Sequence, residues 1–93
     1  MSIIFYIYLY MKGGTMLKAY KALKAKGYAV TFENGNLTIW GGADGKPGGY
    51  YYAPMGHKET DDFGIYKEVN RILDRYSLFA EWRNPDVIDV YPV

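Results

Sequence analysis

His57, Glu59, Asp61 and Asp62 lie within six positions of one another. Together they offer the nitrogen and oxygen donors that a divalent metal accepts. The stretch is polar and precedes a helical pattern, so a solvated loop is the simpler reading. Asp61 and Asp62 are also a pair of carboxylates. Neighbouring side chains on a strand or helix point apart, and acids at a helix start already serve its dipole. Gly41 to Lys46 combines glycines with a lysine in the manner of a phosphate loop. That motif needs glycine at position 40 and Ser or Thr at 47, where Trp40 and Pro47 stand. A glycine-rich nest can still accept an anion. The single histidine and the absence of cysteine leave no nucleophile-and-base arrangement to assemble. These residues predict no enzyme, no metal and no cofactor.

Tyrosine is what the chain has in abundance. There are 11, matched by 11 glycines. Tyrosine presents a large rigid surface at low entropic cost and is enriched at interface hot spots. It is also a good strand residue that half-buries readily. Trp40, Tyr50, Tyr51 and Tyr52 flank the glycine-rich stretch Gly41 to Gly49. They are the candidate anchors for a macromolecular partner, with Asp44, Glu59, Asp61 and Asp62 as an acidic rim that steers a basic surface. The competing expectation is that two amphipathic helices cover both faces of a sheet and bury these rings. A second candidate surface is cationic: Lys18, Lys21, Lys24 and Lys26 follow one another along a helical segment. Such lysines contact nucleic-acid phosphates when they share a face, and a solvated helix face otherwise.

A chain of 93 residues suffices for one domain. It can bury roughly 60–65% of its unfolded surface and so hold together without staples. Lack of cysteine suits a cytoplasmic protein better than a small secreted one. The net charge of +1 implies neither a nucleic-acid nor a membrane partner by itself. The charge is uneven: residues 1–46 carry six lysines and two acids, and residues 47–93 carry five basic and eight acidic side chains.

The elements that must position these groups follow from periodicity. Ser2 to Tyr10 is apolar but too short for a bilayer span, which needs about 20 residues. It reads either as an extra strand or, with Lys12-Gly13-Gly14 encoding a ribosome-binding-like stretch before Met16, as a translated leader. Residues 16–93 then form the domain. Thr15 is placed to N-cap a helix over Met16–Lys26, with Gly27 as its C′ residue. Tyr28–Phe32 and Leu37–Trp40 flank Asn34-Gly35, the pair favoured in a type I′ turn. That turn pairs Phe32 with Leu37 and Val30 with Ile39. Tyr50–Ala53 reads as a third strand stopped by Pro54. Ile65, Val69, Ile72, Leu73 and Tyr76 form the apolar stripe of a second helix, capped by Asp61 or Asp62. Leu78–Arg83 and Val87–Tyr91 alternate as strands around Asn84-Pro85-Asp86. The expected fold is a small single α+β domain, an antiparallel sheet of at least three strands with two helices, in the order (β)-α-β-β-β-α-β-β.

The α-β-β-β-α portion resembles the double-stranded-RNA-binding domain in element order. That resemblance implies a basic cluster at the start of the second helix. Gly56 to Gly64, the equivalent stretch, is acidic instead. The wider profile (small, Tyr-rich, cysteine-free, without catalytic residues) resembles that of small phage and mobile-element proteins, anti-CRISPR proteins among them. The resemblance implies an inhibitor that binds a host protein or protein complex and occupies its surface, with nucleic acid as the alternative partner and no membrane.

Overall fold

The computed structural model describes residues 3–42 and 44–93, with side chains from residue 14 onward. Two helices and a four-stranded antiparallel sheet form one α+β domain. The elements are α1 (Ile3–Ala25), β1 (Val30–Glu33), β2 (Asn36–Trp40), α2 (Lys67–Asp74), β3 (Leu78–Asn84) and β4 (Val87–Pro92). Their order across the sheet is β1-β2-β4-β3, so β1 and β3 are the edges.

The hairpin follows its turn chemistry. Asn34 and Gly35 both take positive φ, 53° and 78°, as a type I′ turn demands. The register is Val30↔Ile39 and Phe32↔Leu37. At the end of α1, Gly27 has φ 92° and its N–H donates to the Lys24 carbonyl, while the Tyr28 N–H donates to the Leu23 carbonyl. These two bonds make a Schellman cap, which satisfies carbonyls that the helix leaves open.

Four local expectations are corrected. Residues 3–10 are helix, not strand, and α1 runs unbroken through Gly13 and Gly14. Once a helix exists, each added residue gains a hydrogen bond, and nothing between 3 and 15 is a proline that would stop it. Thr15 therefore lies inside α1 and is not its N-cap. Tyr50–Ala53 is not a strand: only Gly49 forms an isolated bridge, to Ile65, and a turn follows in which the Ala53 N–H donates to Tyr50. The backbone at Gly48 lies on top of the sheet against the Ile39 and Ile88 side chains rather than beside its edge, so it cannot join the ladder. Finally, α2 starts at Lys67 with Tyr66 as N-cap and no side-chain cap bond. Asp61 does not cap it, because its backbone and carboxylate are bonded to Ile65 and its neighbours. With no third strand before α2, the element order no longer matches the double-stranded-RNA-binding domain.

Both helices pack on the same face of the sheet. Met16, Ala19 and Leu23 from α1 and Val69, Ile72 and Leu73 from α2 share one buried cluster with Val30, Leu37, Ile39, Leu78, Ile88 and Val90. Among the described residues no helix covers the opposite face, where Trp40, Phe79 and Tyr91 are exposed. None of the described helices is long and apolar enough to cross a membrane.

Candidate functional site

The aromatic site is built on the segment between β2 and α2. Three glycines seat it. A Cβ at Gly45 would meet the backbone of Gly27 and Ala29, and one at Gly48 would meet Ile39 Cγ2 at 2.8 Å. A Cβ at Gly49 would strike the carbonyl of Gly64. These glycines serve close approach within the molecule. The segment is further tied by Tyr50 N–H donating to Gly64 at 2.7 Å and Tyr66 N–H donating to Gly48 at 3.0 Å.

Three rings then stack edge to face. Tyr51 lies 5.0 Å from Tyr52 and 5.2 Å from Trp82, with interplanar angles of 81° and 85°. Edge-to-face contacts let the positive ring edge meet the negative ring face. Trp82 comes from β3 and is half-buried, and its indole N–H donates to the Phe63 carbonyl at 2.8 Å. Phe63 itself is 76% exposed and Tyr52 72%. Tyr50 meets His57 edge-on at 6.3 Å. Phe63 and Trp82 do not stand out in the sequence. Trp82 carries one signal, its place at the end of an alternating strand on the core-facing side.

The other named residues disperse. Trp40 sits on the open face of the sheet, away from Trp82's side. Its indole N–H donates to Thr31 Oγ1 at 2.7 Å, and the Arg83 guanidinium lies 5.8 Å from its ring. Arg83 is held there by two bonds to the Asp89 carboxylate, at 2.6 and 2.9 Å. Asp44 shares a groove with Trp40 and Lys24, not with the tyrosines. Asp61 is structural: its carboxylate accepts from the N–H groups of Phe63 and Ile65 and from Asn70 Nδ2. Glu59 and Asp62 are exposed acids near the loop. His57 accepts the Glu59 N–H on Nδ1, and among the described residues no three His, Asp or Glu side chains converge on a metal position. Lys18, Lys21, Lys24 and Lys26 are all exposed, with Lys24 donating to the Tyr20 hydroxyl at 3.1 Å.

One polar cluster lies apart from the rings. The Tyr28 hydroxyl donates to Glu68 Oε1 at 2.7 Å, and Lys46 Nζ is 3.7 Å from the same oxygen. Burial, reinforced by this bond, pushes the Tyr28 phenol well above its usual range. The same bond holds the Glu68 carboxyl below the ordinary carboxylate range, with Lys46 adding to the effect. A depressed carboxyl pKa stabilises the fold above the unfolded value, and that contribution is lost as pH falls through the folded value. Tyr28→Phe removes the largest part of it. The stability gap between the natural protein and Tyr28→Phe is therefore expected to narrow between about pH 6 and about pH 3. Urea unfolding at both ends checks this, and a constant gap refutes it.

No family model, curated protein or solved structure matches this chain.

Proposed function

We propose that the protein acts without turnover, by covering the surface of a host protein or protein complex with the cluster of Tyr50, Tyr51, Tyr52, Phe63 and Trp82. This is the mode of action of small inhibitors carried by phages and mobile elements, anti-CRISPR proteins among them, and it belongs to the cytoplasm. The observation that supports it is the exposed ring cluster on a segment already tied to the domain's own backbone. Aromatic anchors contribute most when the surface that carries them needs no ordering on binding. Asp62, next to Phe63, gives the rim negative charge, whereas Glu59 lies in a separate groove with Lys58 and Lys67. A nucleic-acid reading through Lys18, Lys21, Lys24 and Lys26 has less support. Lys18, Lys21 and Lys24 each step about 60° further round α1, and Lys26 lies beyond its end, so the four do not share one face.

Capture from a nuclease-treated bacterial lysate tests the proposal, with Tyr51→Ala/Tyr52→Ala and Tyr52→Ala compared with the natural chain. The double variant is expected to weaken the captured partner roughly tenfold or more while the thermal midpoint stays close to that of the natural protein. The single variant, which removes the most exposed tyrosine, shows the same direction. Equal retention of the partner by all three proteins overturns the assignment.

A further inference from the structure

Four cations from three segments of the chain line one groove of about 500 Å³. Lys46 comes from the glycine-rich segment, Lys58 from the loop before α2, and Lys67 and Arg71 from α2 itself. The groove shares no lining residue with the aromatic cluster. Two acids, Glu59 and Glu68, are also present. Glu68 is already committed, since it accepts the Tyr28 hydroxyl and faces Lys46. Lys46 is committed in turn, to Glu68 and to the face of the Tyr28 ring, 4.4 Å from its centroid. Among the described residues Lys58, Lys67 and Arg71 have no ion-pair partner. Arg71 acts on Glu68 only through space, alongside Lys46. Lys58 and Lys67 also border Asp61 and Asp62 on their other side. Within the groove cations still outnumber carboxylates, four to two.

The arrangement costs the fold something. Lys67 and Arg71 stand four residues apart on α2, the spacing at which like charges repel. The segment carrying Lys58 is tied to the start of α2 by the Lys67 N–H, which donates to the Glu59 carbonyl at 2.8 Å. An anion of more than one charge relieves that repulsion. Arg71 brings a planar fork matched to phosphate oxygens, and the two lysines bring point charges. Tyr66 lines the same groove and offers a hydroxyl donor. The volume exceeds what inorganic phosphate needs and lies within the range of small-molecule sites.

We propose that this groove binds a phosphate-bearing ligand, with Lys58, Lys67 and Arg71 holding the phosphate. Its source is either a free phosphorylated small molecule or the backbone of a single nucleic-acid strand. Amide shifts of isotope-labelled protein, titrated separately with pyrophosphate and with a short oligothymidylate at low and moderate salt, test it. Both probes are expected to give saturable shifts at Lys58, Lys67 and Arg71. Lys67→Glu/Arg71→Glu is expected to weaken binding roughly tenfold or more, and Lys67→Gln/Arg71→Gln, which avoids new charge beside Glu68, shows a smaller loss in the same direction. Tighter binding of the oligonucleotide with a steep salt dependence identifies the strand as the source. Oligonucleotide binding no tighter than pyrophosphate identifies the free ligand. Absence of saturable shifts with either probe, shifts confined to the lysines of α1, or identical titration of the variants overturns the proposal.

Discussion

Gly49→Ala lowers the stability of the domain by about 3 kcal/mol or more, whereas Gly42→Ala changes it by no more than about 0.5 kcal/mol. The contrast is steric. A Cβ at Gly49 would lie 2.9 Å from Ile65 Cα and 3.0 Å from Trp82 Cζ2, and closer still to the Gly64 carbonyl. Two of those three atoms are backbone, and the Gly49↔Ile65 bridge holds them in place. Relief requires moving the whole 64–66 segment, which begins the packing of α2 through buried Ile65. At Gly42 a Cβ meets nothing within 4 Å. A domain of this size is stable by only about 5–15 kcal/mol, so the loss is readily measured by urea unfolding. Trp82 emission reports the local change, because Tyr51 and the Phe63 carbonyl both contact that ring. Equal midpoints for Gly49→Ala and Gly42→Ala would show that the segment is not seated as described.

Asp61→Ala is expected to cost about 3 kcal/mol, and Asp62→Ala to stay within about 0.5 kcal/mol. The two residues are adjacent and chemically identical. One carboxylate accepts three hydrogen bonds, from the Phe63 N–H at 2.8 Å, the Ile65 N–H at 3.0 Å and Asn70 Nδ2 at 2.8 Å. The other is exposed and makes none among those described. Removing Asp61 strands the part-buried donors of Ile65 and Asn70 and loosens the turn that carries Phe63. Asp61→Ala therefore also weakens capture of the partner, while Asp62→Ala slows association only, through lost steering. Urea unfolding of the two variants decides the first part. Comparable losses from both would place Asp61 on the rim with Asp62 instead of inside the loop.

The hairpin was legible because two independent local signals agree on it. Asn34-Gly35 chooses a turn, the alternation of Val30, Phe32, Leu37 and Ile39 chooses a face, and both imply one register. The second helix was legible from its spacing alone: Val69, Ile72 and Leu73 are buried on α2, while Ile65, also buried, precedes the helix and the partly buried Tyr76 follows it. Tyr50–Ala53 misled because tyrosine favours strands only where an edge is available to pair with. The bonds that Tyr50 and Gly48 make to Gly64 and Tyr66 span a long loop, and no local preference signals them. The apolar run at 3–10 misled because it carries no alternation, so nothing in it distinguishes a strand from the start of a helix.

Local chemistry in the chain thus determined the turns, the strand register of the hairpin, the Gly27 cap, the apolar stripe of α2 and the abundance of tyrosine from which a binding surface is made. Tertiary structure decided the rest: that both helices cover one face and leave Trp40 on the other, that Trp82 and Phe63 join Tyr51 and Tyr52, that Asp61 turns inward, and that Lys58, Lys67 and Arg71 share a groove with Lys46. The division has a physical cause. Caps, turns and periodicity depend on neighbours a few residues away, whereas a surface is composed by contacts between segments far apart in the chain, and those are chosen by how the whole core packs.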